Sequence, residues 1–487
     1  MLRKVPMSEV SQHNHDENIW LVISGKIYDF TRFMPEHPGG ADVIRRYAGR
    51  DATKVYGEVH SPNLVQMTLH PSEVIGEIDD STITFDAHQS TATKTTSSTQ
   101  AEMPSLDNII NLYDLEDVAS KHLSQKAWAY INGASNDNIT RDENQALMRR
   151  IWFRPSVMRD VSSVGTRAKL LGTDLECPIF ICPTGAVRMA GNEGEIALAK
   201  AAATMGIIQC IATASSYPLE EILDATPERA FFQLYVNKDR QKSEALIKQI
   251  NESGKVRALF ITVDVPVISK READERVKPD VVIDTANIKT HKGGSDKKGA
   301  GMTRQNSGFI DSALSWNDIE WLRGHTKLPI VVKGIQSWRD AKMAVQYGCQ
   351  GIVVSNHGGR AADTAQPAIL TLLELQKNCP EVFSALEVLI DGGFRRGSDV
   401  VKAICLGASG VGIGRPMLYA VQYGQVGVEH AIQILREEIE TAMQLCGMTD
   451  LIRDSSPDYV NTCQIDHLVP SKRHSYLRKI ERFQTKL

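Results

Sequence analysis

The chain has 487 residues and a formal net charge of −4, with a pI near 6.4, so it lacks the basic face that a nucleic-acid backbone demands. Its 42% hydrophobic and 23% charged residues are those of an ordinary globular protein, and no apolar run approaches the ~18 residues of a membrane span. The length exceeds one ordinary core and predicts two or three domains. In chain order, residues 1–78 read as a compact unit. "IWLVISGKIYDF" predicts two short strands around Ser24 and Gly25, and "GGADVIRRYAG" a helix closed by Gly49. Residues 79–104 are rich in Ser and Thr and without period, which predicts a flexible linker. From Ser105, "LYDLEDVASKHLSQKAWAYING" carries apolar residues at helical spacing.

After residue 176 short apolar strands alternate with helix-length stretches such as "EGEIALAKAAATMG", "DRQKSEALIKQINESG" and "SWRDAKMAVQYG". The strands are "PIFICPT", "GIIQCIA", "AFFQLYV", "ALFITVDV", "LPIVVKG", "GIVVSNH", "EVLIDGG" and "GVGIGRP". That many strand–helix units over roughly 250 residues predict an α/β closed parallel (β/α)8 barrel, a TIM barrel; an open doubly wound sheet is the alternative. The expected barrel domain spans 105–465, with a basic C-terminal tail at 466–487 placed to wrap a neighbouring subunit. The polar stretch containing "KTHKGGSDKKGAGMTRQNSG" interrupts the rhythm and predicts a disordered segment or a lid. The cysteines are scattered without a Cys-x-x-Cys, and Cys177, Cys182 and Cys210 sit in apolar stretches, so free buried thiols in a reducing compartment are expected. The N-terminus enters a foldable pattern at once, without an apolar h-region or transit segment. The terminal "QTKL" is only a loose relative of a peroxisomal address. A cytoplasmic location is expected.

Barrel enzymes carry their chemistry where strands end at the C-terminal face. Here those ends bring Gln233 and Tyr235, Thr262 and Asp264, Lys333, and His357 and Arg360, followed by the Gly- and Arg-rich "DGGFRRG" and "GIGRP". Each alone has a bland reading as a cap or ion pair. Together they offer a base, a carboxylate, guanidiniums and a lysine at one mouth. Glycine-rich, Arg-bearing loops after the last two strands suit a phosphate.

"FQLYV", "TVDVP", "IVVKG", "SNHGGR", "DGGFRRG" and "GIGRP", in this order, resemble the FMN-dependent 2-hydroxy-acid oxidase and dehydrogenase family over about residues 105–450. The resemblance implies that His357 is the base for the substrate Cα proton and Asp264 its partner. It implies that Arg360 and Arg271 clamp the substrate carboxylate, that Tyr130 and Tyr235 hold the substrate, and that Lys333 lies beside the flavin. It implies FMN contacts at Pro183, Thr184, Gly185, Gln233, Thr262, Lys333, Asp391, Gly392, Gly393, Arg395, Gly414 and Arg415. Ala212 stands where many relatives have Ser. Gly185 and Ala214 replace an Ala and a bulkier residue of lactate-using relatives, which predicts a pocket that admits groups larger than methyl.

"EHPGGAD" puts His37 before Pro38 and two glycines, and "GEVHSP" supplies His60. With Trp20, "YDFTRF" and "AGRDAT", this resembles the cytochrome b5 haem domain over about residues 5–78, which implies that His37 and His60 are axial ligands of haem b. Two imidazoles on one iron leave no open position and suit single-electron transfer. A haem domain joined by a linker to this barrel is similar to the flavocytochrome b2 group of L-lactate:cytochrome c oxidoreductases. That implies an L-2-hydroxy acid substrate, L-lactate foremost, electrons passing through FMN and haem b to cytochrome c, and a homotetramer. It also implies the mitochondrial intermembrane space as the alternative location. A mandelate-type dehydrogenase, or an oxygen-using oxidase with an accessory haem domain, is the competing reading. Thr68 falls where a propionate-side tyrosine is often found, so docking of the haem domain is expected to lean on Tyr130.

Overall fold

The computed structural model describes residues 2–37, 41–79, 102–277 and 309–472. The turn at 38–40, most of the linker, the lid candidate at 278–308 and the tail beyond 472 lie outside the described residues.

The N-terminal unit is built on the strands Asn18–Ile23 and Lys26–Asp29, antiparallel around Ser24 and Gly25. Both turn residues are left-handed, with φ of 52° and 76°, the geometry that matches the twist of a two-residue hairpin. The side-chain alternation of a strand lets Asn18–Ile23 serve two cores. Ile19, Leu21 and Ile23 face a cluster with Phe30, Met34 and Val65, while Trp20 and Val22 join Val5, Val10 and Ile27. Short helices at Ala41–Tyr47, Thr53–Val59 and Leu64–Thr68 cover the first of these faces.

The second unit is a closed barrel of eight parallel strands. They are β1 Ile179–Ile181, β2 Ile208–Ala212, β3 Ala230–Leu234, β4 Val256–Thr262, β5 Ile330–Ile335, β6 Gly351–Val354, β7 Glu387–Asp391 and β8 Gly410–Ile413. All eight expected strands are present, and the open-sheet alternative is excluded by the β1–β8 pairing. Near-continuous apolar runs arise because both faces of each strand are buried. The inward layer stacks Phe180, Phe231 and Phe260 with ring centroids 5.0–6.4 Å apart. The outward layer, including Ile179, Ile181, Ile211 and Phe232, packs on the surrounding helices.

A hairpin, Ala168–Leu170 with Thr173–Leu175, adds Leu170 and Leu175 to the inward layer. A Cβ added at Gly410, where β8 begins, would come within 2.6 Å of Leu170 Cδ1. The N-terminal mouth is therefore plugged, and only the C-terminal mouth is left for chemistry. The helical stretch from Leu112 is two helices, Leu112–His122 and Gln125–Asn132. Ser124 makes the break: its Oγ accepts the Ala127 N–H at 3.1 Å and caps the second helix. That second helix carries Tyr130 to the barrel mouth.

Candidate active site and electron-transfer centre

The strand ends converge as expected. One pocket at the C-terminal mouth is lined by Tyr130, Pro183, Thr184, Gly185, Gln233, Tyr235, Arg271, Lys333, His357, Arg360, Asp391, Gly392, Gly393, Arg395, Gly414 and Arg415. Thr262 does not line it; its Oγ1 accepts the Gln233 amide at 2.9 Å from one layer behind.

The mouth is organised around His357, which follows β6 with a φ of 59°. A left-handed non-glycine residue is costly and persists where the surroundings over-determine it. They do so here. The His357 N–H donates to Ser355 Oγ at 3.0 Å, and Nδ1 lies 2.8 Å from Asp264 Oδ1, just past the end of β4. Nε2 lies 3.3 Å from the Tyr235 hydroxyl and points into the pocket side. Burial pushes His357 below its ordinary value, and Asp264 works against that fall. Burial also acts to raise Asp264, but His357 and Lys333 outweigh it and hold the carboxylate ionised. Asp264 Oδ2 is buried without a hydrogen-bond partner, so the carboxylate directs its bonding at the imidazole. Burial lifts Tyr235 to about 12, which keeps its hydroxyl protonated.

Lys333, on β5, is buried beside Asp391, 3.4 Å away, and donates to Ser355 Oγ at 3.2 Å. Ser355 in turn donates to Asp391 Oδ1 at 2.6 Å. Burial alone would lower the ammonium; Asp391 and Asp264 outweigh it and keep it charged. Ser355 thus ties the lysine, Asp391 and the His357 backbone together. It opens "SNHGGR", but a serine two residues before a histidine carries no spacing signal. Asn144 and Asn356 exchange two amide hydrogen bonds, at 2.9 and 3.0 Å, behind Gly392 and Gly393, which follow β7; no motif marks Asn144.

Two guanidiniums stand close at the mouth. Burial and then Arg360 push Arg271 down to about 10, still a full cation at neutral pH. Arg360 is held by the carbonyls of Tyr130 (2.8 Å), Ile131 and Gly133 (3.2 Å), and lies over the Tyr130 ring. Arg415, which opens the helix after β8, bonds the carbonyls of Ile131, Gly133 and Gly358 at 2.9–3.1 Å. Arg395 pairs with Glu116 at 3.3 Å. A cation-rich mouth of this kind calls for an anion. Two features favour a flavin phosphate and ring here. Gly392 and Gly393, with φ of 99° and 90°, line the pocket just past β7, and Thr184 Oγ1 is buried without a partner.

The expected enlargement at Gly185 is not what the structure shows. A Cβ there would meet Ala214 O at 2.7 Å and Ala214 Cβ at 3.1 Å. The absent methyl is filled by the approach of the neighbouring loop, so only Ala214 itself contributes room to the mouth.

In the N-terminal unit, His37 and His60 face one another across an apolar cleft lined by Leu21, Phe30, Phe33, Ile44, Val55 and Val65. With the adjoining barrel surface it encloses about 700 Å³. The ring centroids are 6.1 Å apart, which leaves room for one metal ion at about 2 Å from each ring. His60 closes the helix Thr53–Val59, its N–H returning to Tyr56 O at 2.8 Å. Burial, then His37 and Arg188, push it down to about 4, so the ring is neutral with a lone pair to give. Its Nδ1 is buried without a protein partner. A haem fits this donor set. The two units touch: Ser61 N–H donates to Ser216 O at 3.0 Å, with ion pairs Lys126–Glu58 at 3.4 Å and Lys242–Glu36 at 2.7 Å around the rim.

Comparison with known proteins agrees with this geometry. Residues 119–462 match the FMN-dependent dehydrogenase family, and residues 6–79 match the cytochrome b5-like haem/steroid binding domain. The chain is 40% identical over 479 residues to L-lactate dehydrogenase (cytochrome) of Saccharomyces cerevisiae, covering 94% of this chain and 80% of that protein. Among solved structures, a flavocytochrome b2 variant with benzoylformate is 39% identical with a TM-score of 0.67, over 76% of this chain and 91% of the other. A mandelate oxidase variant with (S)-mandelic acid is 34% identical with a TM-score of 0.62, over 72% of this chain and 98% of the other. No helix among the described residues is long and apolar enough to cross a membrane.

Proposed function

Because this chain belongs to the family of FMN-dependent dehydrogenases and carries a cytochrome b5-like unit, we propose that it oxidises an L-2-hydroxy acid, L-lactate first, and delivers the electrons to cytochrome c. The observation that carries the reading is the His357–Asp264 pair opening on a mouth that also holds Arg271 and Arg360. Bound FMN would supply a two-electron acceptor and haem b a one-electron relay.

The protein's own residues do the rest. Arg271 and Arg360 take the substrate carboxylate in a planar, bidentate grip that a lysine could not give. That grip sets the substrate hydroxyl and Cα beside His357 Nε2 and the Tyr235 hydroxyl. His357, neutral at working pH because it is buried, accepts the proton; Asp264 fixes its tautomer and stabilises the imidazolium. Tyr130 closes the mouth over Arg360. Lys333, kept charged by Asp391, would place a fixed cation beside the bound flavin. Pro183, Thr184, Gly185, Gln233, Asp391, Gly392, Gly393, Arg395, Gly414 and Arg415 would hold the FMN, with Thr262 acting from behind through the Gln233 amide, and His37 and His60 would hold the haem iron. We take residues 1–78 as the haem unit, 79–104 as its linker, 105–465 as the dehydrogenase and 466–487 as a tail. The assembly is a homotetramer, and the compartment the cytoplasm or the intermembrane space.

A second reading, for larger acids, is favoured by one observation: Ala214 presents only a methyl to the mouth. It draws support from the benzoylformate and (S)-mandelic acid held by the solved relatives. The experiment is a panel of kcat/KM for L-lactate, 2-hydroxyoctanoate and mandelate with cytochrome c as acceptor. Lactate highest supports the first reading, and mandelate highest supports the second. Hydrogen peroxide formation without cytochrome c reduction would overturn both in favour of an oxidase.

A further inference from the structure

The pocket at the barrel mouth and the cleft of the N-terminal unit share a wall. Ala212 and Ala214 line both, and Ser215, Ser216 and Tyr217 continue the cleft side. On the inner side, Ala214 O accepts the N–H of Ala186, the residue after Gly185, at 3.0 Å. On the outer side, Ser216 O accepts the N–H of Ser61, the residue after His60, at 3.0 Å. Covalent bonds and two hydrogen bonds thus run without a gap from the loop at the flavin site to the loop that carries an iron ligand.

The middle of this route is held from beneath by a buried carboxylate. Glu195 is 1% exposed, and its Oε1 accepts both the Ser216 N–H at 2.8 Å and the Val187 N–H at 3.2 Å. The Arg188 N–H adds a bond to Ser216 Oγ at 3.2 Å. Residues 186–188 and 214–216 are therefore locked to one another. Glu195 Oε2 is buried without a partner, a cost tolerated while the other oxygen holds two loops. Across the junction Tyr56 Oη donates to Ser61 O at 3.0 Å and accepts the Val65 N–H at 2.7 Å, so the His60 turn is fixed too. Ser61 and Ser216 are fully buried. The rim ion pairs are substantially exposed and contribute little.

Resting on the FMN and haem reading above, we propose that residues 214–216 are the electron bridge between the two sites and that Glu195 is the residue that positions it. Each crossing takes one electron out of the flavin pocket and reduces the ferric iron between His37 and His60 to ferrous. No bond forms or breaks and no proton crosses; cytochrome c returns the iron to ferric after each crossing, so two crossings clear the electrons of one substrate.

The test compares E195A and E195Q holoenzymes with the parent. L-lactate is mixed anaerobically, flavin and haem absorbance are followed separately, and hydrogen exchange is read over residues 54–64 and 210–220. Both variants should reduce flavin at the parental rate. E195A should slow electron arrival at the haem about tenfold or more, as displaced elements do when geometry sets a rate, and should lose protection at Ser61 and Ser216. E195Q should restore both, because an amide oxygen accepts the same two N–H groups. Parental haem reduction in E195A, or equal slowing in E195Q and E195A with protection intact, would overturn the bridge. If E195A does not fold, E195D takes its place; it keeps the carboxyl group but draws the oxygen back by one methylene. Failure of L-lactate to reduce the parent flavin would overturn the underlying reading instead.

Discussion

Replacing Asp264 by Asn tests the acid–base core with almost no change of shape. Asp264 is buried, and Gly334 approaches it so closely that a Cβ there would lie 2.6 Å from the Asp264 Cβ, so the new side chain has nowhere else to go. Its oxygen can still accept from His357 Nδ1 at 2.8 Å, but without charge. The loss is a charge-assisted hydrogen bond to an imidazolium that exists only once the proton has moved, about 1.5–3 kcal/mol, or roughly ten- to 150-fold in kcat. KM should change little, because Arg271 and Arg360 are untouched. The pH profile adds a signed test. Asp264 opposes the fall that burial imposes on His357, so D264N should move the acid limb of kcat/KM to lower pH. Steady-state kinetics across pH would read both. A kcat within about twofold of the parent with an unmoved acid limb would refute the assignment of base and partner.

Other outcomes follow from the same geometry. H357Q should abolish turnover while leaving the haem spectrum intact, which absorption and activity measured on one preparation would check. H60A should lose haem, yet its flavin should still be reduced by substrate at the parental rate, since the two pockets share only a thin wall. G185A should destabilise the fold by about 1–3 kcal/mol, because its Cβ meets Ala214 O at 2.7 Å; a thermal melt at or above the parent's would contradict that packing. Burial lifts Glu195 from an ordinary 4.5 to about 7. The folded protein therefore holds a proton that the unfolded chain releases, and stability from this group is lost as pH rises through that window. E195Q should remove about 3 kcal/mol of that pH dependence, read as the difference between its melting profile and the parent's.

The barrel was legible because eight apolar runs alternate with amphipathic stretches, a rhythm set by burial on both strand faces. The hairpin was legible because Ser24 and Gly25 can both take positive φ between alternating strands. The convergence of most candidate residues was legible because strand ends in a barrel face one mouth. Three things were not. The break before the helix Gln125–Asn132 depends on one serine cap inside an unbroken apolar period. The room at Gly185 depends on how closely a loop distant in sequence approaches, and no local pattern records that. Glu195 sits in "EGEIALAKAAATMG" like any first-turn carboxylate, and only the tertiary fold turns it inward beneath Ser216.

Anaerobic rapid mixing with L-lactate, with flavin and haem absorbance followed in one trace, reads the proposed electron route from substrate to haem in a single experiment. Flavin should be reduced first, haem should follow within the same turnover, and added cytochrome c should then reoxidise the haem. Reduced flavin beside haem that stays oxidised, or haem reduced with no prior change at the flavin, would contradict it.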